Sequence, residues 1–284
     1  MLARTIKPRS ERWEEEARFF DERAKAHSVA PISDVTLARY RSPDLRQKFS
    51  KEFRIGLLGD LLGKRVLDVG CGDGGNSTLF AKLGATVVGV DISSGNIELA
   101  RKRVQVNGVA ESVELICSPF ETADLAPDSF DVVWGDAVLH HIVDDLAAVM
   151  SRAVAFARAE GIVVFAEPVN LFQPLRTLRN LTPVPHDGTP GERPLEPRDL
   201  AVIAPYFDAM TVRHFTLFGR LERFVLVHMN YEKSPRWRRR VADVLATVDA
   251  TALRLPFVSP LSATAVLYGR PAKPRSPSSS SRSI

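Results

Sequence analysis

Cysteine is scarce in this chain: Cys71 and Cys117 are the only two among 284 residues. Both fall at the ends of predicted strands. If those are the first and third strands of a sheet ordered 3-2-1, two strand spacings of roughly 9–10 Å separate them, too far for a disulfide. Reduced thiols in a cytoplasmic protein are the natural expectation, and catalysis by either is not expected, since both read as packed residues. Long hydrophobic runs are missing too. No stretch approaches the roughly 20 apolar residues that cross a bilayer, and the first eight residues lack the apolar centre of a signal peptide. Stable membrane insertion is therefore not expected, while peripheral contact stays open. There is no Cys-x-x-Cys pair and no evident His or carboxylate cluster for a metal, so none is expected. No internal repeat is visible.

What is present is an ordinary soluble balance, 45% hydrophobic and 25% charged, in a chain long enough for one decorated α/β domain or at most two small ones. The net charge of +4 is carried largely by Arg236 to Arg240 and by the tail after Gly269. Local basic runs of this kind are usually solvated surface, so no nucleic-acid partner is expected.

Residues 10–26 place Trp13, Ala17, Phe20 and Ala24 on one stripe of a charged amphipathic helix. A second helix is predicted over about 43–62. Strands then alternate with helices: strands near 65–69, 86–91, 112–117, 130–135 and 160–166, helices near 75–83, 94–107 and 144–158. That order argues a parallel sheet covered on both faces. Residues 168–197 are rich in proline and read as a long loop. A helix near 197–205, a strand near 210–217 and a last strand at Ala263 to Tyr268 follow. Between those two strands an amphipathic helix is predicted, with Trp237, Val241, Val244, Leu245, Val248 and Leu255 at helical spacing. Its leading arginines would suit an interfacial membrane helix. The stripe also fits a core-facing helix, and we expect that helix to cover the substrate cavity or form a dimer face. The boundaries read as an N-terminal helical lid (1–62), a core (63–216), a helical insertion (217–260), the last core strand (261–270) and a disordered tail (271–284). A homodimer is compatible with this plan.

The strand Val66-Leu67-Asp68-Val69 runs into Gly70-Cys-Gly72-Asp-Gly74-Gly75, and a second strand ends on Asp91, 21 positions after Gly70. Glycines let backbone approach a ligand, and a carboxylate at the second strand end can accept ribose hydroxyls. The glycine spacing alone would permit a nicotinamide dinucleotide. Asp68, two residues before the first glycine, tilts the choice, because a pyrophosphate wants only donors whereas a zwitterion carrying a sulfonium welcomes an acid. Asp68 could otherwise cap the turn, and Asp91 the next helix.

The segments VLDVGCGDGGNS, VVGVDIS, SFDVVWGDAVLHHI and GIVVFAEPVN, in this order, resemble class I S-adenosylmethionine-dependent methyltransferases of the small-molecule branch. The resemblance covers about 60–170 strongly and the final strands weakly. It implies a Rossmann-like, doubly wound, seven-stranded and mostly parallel α/β sheet. It implies S-adenosyl-L-methionine as cofactor, with S-adenosyl-L-homocysteine as product. Asp68 would face the methionine amino group, directly or through water. Gly70, Gly72 and Gly74 would shape the loop beneath the methionine and ribose. Asp91 would hold the ribose hydroxyls, Ile92 and Phe120 would meet adenine, and Asp136 would border the methionine end. The family's usual acid for the adenine amino group is missing from Cys117-Ser-Pro-Phe-Glu121, so Ser118 or Glu121 must substitute. Asn-Pro-Pro-Tyr-type segments, with which nucleic-acid amino-methylating enzymes hold a planar amine, are also missing.

His140 and His141 follow the fourth strand at its carboxyl end, where open α/β sheets place ligands. Imidazole is the natural base at neutral pH. His140 aligns with the base of related O-methyltransferases, and His141 with a histidine that reads as structural. Tyr40, His186, Arg193, His228 and Tyr231 are further candidates, each more simply read as surface, with the variable segments forming a lid. Arg193 would suit an acidic substrate. The resulting expectation is methyl transfer to a small molecule, on a hydroxyl or carboxylate in secondary metabolism. Carbon methylation of an isoprenoid or quinone-like acceptor is the rival within enzymes. A nicotinamide-dependent oxidoreductase or a non-catalytic nucleotide-binding protein is the rival outside this class.

Overall fold

The computed structural model describes residues 8–42, 47–174, 177, 189, 192–227 and 231–273. Its centre is a seven-stranded sheet in the order β3-β2-β1-β4-β5-β7-β6. The strands are β1 (Arg65–Val69), β2 (Thr86–Asp91), β3 (Val113–Cys117), β4 (Phe130–Asp136), β5 (Ala157–Pro168), β6 (Thr211–Phe215) and β7 (Thr264–Gly269). The first five are parallel, and β7 runs antiparallel to both neighbours. β5 is longer than predicted because the β4–β5 register slips between Phe130 and Val132, letting Ala157 pair beyond the irregularity. The sheet order puts β2 between Cys71 and Cys117, and both thiols are free. Cys71 is buried, but Cys117 is exposed at the outermost strand rather than packed.

Alternating β residues feed two cores. Leu67, Val69, Val133 and Phe165 face one cluster, which α6 (Leu146–Phe156) and α7 (Pro197–Ile203) cover. Val66, Val132, Trp134 and Val164 face the other, against α3 (Ser50–Leu58) and α4 (Gly75–Lys82). Each apolar run is thus buried on both faces, as a parallel sheet requires. The chain enters through α1 (Arg9–Ala24) and a short α2 (Asp34–Arg41) that the sequence reading did not anticipate. The signal for α2 was there: Ser33 caps it, accepting from the Thr36 amide at 3.1 Å. The predicted helix over 43–62 is α3 alone among the described residues, ending at Gly59, whose φ is 64°.

Between β6 and β7 lie a short α8 (Glu222–Val225) and α9 (Arg236–Ala252). Here a core-facing stripe is not what forms. α9 buries Ala242, Ala246 and Asp249, while Trp237, Val241, Val244 and Val248 are exposed. Small residues allow close approach of that face, and the large apolar ones are left outside. No helix among the described residues is long and apolar enough to cross a membrane.

Candidate active site

The loops after β1, β2, β3 and β4 converge on one cavity of about 460 Å³, at the carboxyl ends of the strands and beside the order reversal at β1/β4. Gly70, Gly72 and Asp73 form its floor. Asp91 and Ile92, then Ser118 and Phe120, make one side; Asp136, His140 and His141 make the other. Of the residues expected at the cofactor, Asp68 and Gly74 do not border this space.

The glycine loop is built to approach something. Gly74 starts α4 in the left-handed region, φ 76°, and a Cβ there would lie 2.7 Å from the Ala100 Cβ and 2.9 Å from its Cα. It therefore fixes how closely α4 lies against α5 (Ser94–Val106). A Cβ on Gly72 would meet nothing within 4 Å, so this backbone faces open cavity. Asp91 braces the same loop. One carboxylate oxygen accepts from the Gly72 amide at 2.8 Å and the other from the Ser93 amide at 2.9 Å. Burial pushes its pKa up, and those hydrogen bonds oppose the shift. Capping of α5 falls to Ser93, which accepts from the Asn96 amide.

Asp68 stands behind the loop, accepting from the Ser77 hydroxyl at 2.6 Å. Burial drives its carboxyl up to about 7 against that hydrogen bond. Asp136 is held by Arg54 at 2.8 Å and Asn76 at 3.2 Å. Despite burial, the Arg54 charge and hydrogen bond keep its carboxyl below the usual range. Ala137, next along the cavity wall, has a φ of 62°, a strained conformation for a residue with a side chain.

The turn after β4, Leu139–His141, is organised by Glu167 at the end of β5. This carboxylate is fully buried. One oxygen accepts from the Val138 and Leu139 amides at 3.0 and 2.9 Å; the other accepts from the His140 amide at 3.3 Å and lies 2.9 Å from His140 Nδ1. A carboxylate at this place can only accept, so Nδ1 carries the proton that it donates to Glu167. Nε2 lies 3.5 Å from Glu192. His141 Nδ1 lies 3.3 Å from Glu16 and 3.6 Å from Glu192. Burial lowers the His141 pKa, but Glu16, Glu192 and Glu167 outweigh it and the net shift is upward. His140, His141 and Glu192 bring three donor atoms within 4.8 Å of one another, a grouping that could hold a metal ion and that no sequence spacing displays. The raised His141 pKa means a proton competes for that place.

α1 roofs the cavity with Trp13, Glu16 and Phe20. Arg12 pairs with Glu121 at 2.8 Å and Asp145 at 2.6 Å, and Trp13 donates to Glu121 at 3.1 Å. At its other end Asp21 accepts from the Ser93 hydroxyl at 2.6 Å and the Gly95 amide at 2.8 Å, at the positive N-terminus of α5. Glu121 is thus committed to the roof. Arg193 is committed to Asp199, in a two-point pair at 2.5 and 2.8 Å, and does not line the cavity. Tyr40 is buried away from it, and Tyr231 donates to Asp243. His186 and His228 lie outside the described residues. No described residue of 217–260 lines the cavity, whose cover is α1.

The sequence reading missed Glu167, Glu16 and Glu192. Glu167 did leave a trace, as a carboxylate ending a run of apolar strand residues; the other two acquire their place only from tertiary packing.

Comparison with known proteins agrees with this geometry. Residues 67–165 match the family model described as a methyltransferase domain. The ubiquinone biosynthesis O-methyltransferase of Neisseria meningitidis serogroup A is 38% identical over 109 residues, covering 38% of this chain and 45% of that protein. The chain thus spans about half the length of the curated relatives it matches. Among solved structures, the geranyl diphosphate C-methyltransferase of Streptomyces coelicolor A3(2) superposes with a TM-score of 0.60 at 14% identity, over 94% of this chain and all of that one. The cyclase SpnF superposes at 0.55 and 18% identity, over 90% of this chain and 93% of its own. Such distant likenesses carry fold and not reaction. The family match rests on the strands and loops that build the cavity floor, and it marks residues 67–165, about a third of the chain, as similar to a methyltransferase domain.

Proposed function

We propose that the chain is an enzyme that methylates an oxygen of a small-molecule acceptor, a hydroxyl or carboxylate, with S-adenosyl-L-methionine as donor. One observation supports this reading: His140, held through Nδ1 by the buried Glu167, lines the cavity that the glycine loop floors. The residues fit the cofactor. Gly72 offers bare backbone to the cavity that Asp91, Ile92, Ser118, Phe120 and Asp136 also line; Asp91 would accept ribose hydroxyls, Ile92 and Phe120 would supply apolar walls for adenine with Ser118 beside them, and Asp136 would border the methionine end. When bound, the cofactor supplies an activated methyl group on a sulfonium.

The chain's own residues would do the rest. His140 Nε2 takes the acceptor's hydroxyl proton, and Glu167 keeps the ring oriented while its charge offsets the imidazolium. Trp13 and Phe20 in the roof exclude water and hold the acceptor's apolar part. A carboxylate acceptor would need His140 only for orientation. The relatives are named for ubiquinone biosynthesis rather than secondary metabolism; both settings call for the same oxygen chemistry at this base. Carbon methylation of an acidic C–H could use the same histidine, and the position of the new methyl in the product separates the two.

Calorimetric titration tests the cofactor: S-adenosylhomocysteine is expected to bind and NAD is not. Tight NAD binding with no heat from the sulfonium's product would overturn the reading. For the base, His140→Ala should lower turnover of a hydroxyl acceptor by about 10²–10⁴-fold, leaving S-adenosylhomocysteine affinity within about two-fold. Unchanged turnover would remove His140 from the mechanism.

A further inference from the structure

The segment 217–260 carries eight arginines and lysines and four acids. The fold sorts them. Glu232 accepts from the Thr36 hydroxyl at 2.7 Å. Asp243 accepts from Tyr231 at 2.9 Å and lies 3.6 Å from Lys48. Asp249 is buried and accepts from the amides of Leu217, Phe218 and Gly219 at 2.8–2.9 Å. Glu222 is half-buried. None of the four acids is exposed, whereas Arg220, Arg223, Lys233, Arg236, Arg240 and Arg254 are.

The apolar residues are sorted the same way. Trp237, Val241, Val244 and Val248 recur at i, i+4, i+7 and i+11, one stripe of α9, and all four are exposed, Trp237 at 61%. Phe224 of α8, packed beside α9, is 72% exposed, and Phe257 just beyond α9 is 76% exposed. Large apolar side chains rimmed by charges of one sign mark an interaction surface.

We propose that this face binds anionic lipid bilayers peripherally, with the α9 stripe and Phe224 entering the headgroup–acyl boundary and the arginines lying over acidic headgroups. An interfacial tryptophan flanked by arginines, on a helix too polar to span, is the arrangement such surfaces need. Charge decides against the other occupant. A two-fold dimer through this patch would set its cations against the same cations of a second copy, while an acidic membrane surface attracts every one of them. The inference stands apart from the proposed methyl transfer, because no residue of the face lines the cavity.

Sedimentation with sucrose-loaded phosphatidylcholine vesicles doped with phosphatidylglycerol tests it. The intact chain is expected to pellet at low salt, to be released as salt rises, and to bind pure phosphatidylcholine far less. Val244→Glu should reduce binding by about ten-fold or more. Arg236→Glu with Arg240→Glu should reduce it on the order of five-fold per arginine at low salt. Tryptophan emission should shift to the blue on binding, and Trp237→Phe should abolish the shift, since Trp134 is fully buried and Trp13 sits in the cavity roof. Failure to pellet at low salt would overturn the proposal. So would equal binding by the Val244→Glu chain, or a dimer in sedimentation velocity that Val244→Glu dissolves.

Discussion

Alanine at position 167 should cost on the order of 3–6 kcal/mol of stability, because it strands three buried amides that now share one carboxylate. The measurement is the urea midpoint, with an unchanged slope as the check that unfolding stays two-state. Glutamine separates fold from chemistry. Its carbonyl can still accept from the Val138 and Leu139 amides, but its NH₂ group would leave the His140 amide without an acceptor and would donate to His140 Nδ1. The imidazole proton must then move to Nε2, and the proposed base is lost. Glu167→Gln is therefore expected to retain most of the stability while turnover of a hydroxyl acceptor falls by about 10²–10⁴-fold. A glutamine chain with full turnover would show that Glu167 serves only the backbone.

A second large effect is expected at the glycine loop, where two neighbouring glycines should fail in opposite ways. Gly74→Ala must adopt a φ of 76° and drive a methyl group to 2.9 Å from the Ala100 Cα. Backbone cannot retreat as a side-chain tip can, so α4 and α5 must separate. A loss of roughly 2–4 kcal/mol is expected from conformational strain plus overpacking, and cofactor affinity should fall with it. Gly72→Ala, at φ 55°, carries the conformational cost alone, about 1–2 kcal/mol. Its methyl group would occupy the ligand's space, so S-adenosylhomocysteine affinity should fall by about ten-fold or more in a chain that still melts cooperatively. Equal stability for the two variants would contradict the packing described at Gly74.

These contrasts also show what could be read from sequence. Gly70 to Asp91 was legible because strand, turn and second-strand acid are close in the chain and each follows local chemistry. His140 was legible for the same reason. Its partner Glu167 is 27 residues away, and the pairing exists only because β4 and β5 are parallel neighbours. The roof was half legible. The Trp13 and Phe20 stripe announced a buried helix face, but Arg12 finds Glu121 across 109 residues, which no periodicity encodes. The helix α9 shows the limit of periodicity itself. A stripe of Trp and Val says that a helix has two faces; it does not say which one the domain keeps. Here Ala242 and Ala246 are kept, because only small side chains let the helix lie close.

Asp68, behind the glycine loop and off the cavity wall, brings a property of a different kind. With its carboxyl pushed up to about 7, Asp68 stays a neutral acid to far higher pH than an ordinary carboxyl. A positively charged group arriving nearby would draw that value down and release the proton. Ligand uptake then becomes an acid–base reaction: the heat measured should depend on the buffer that takes up the proton, and affinity should climb with pH through neutrality. For the unliganded chain the sign is reversed. A folded-state pKa above the unfolded value near 3.8 contributes stability that is complete below that value and lost as pH rises through about 7. Through this one carboxyl, acid favours the folded chain alone, and base favours its complex.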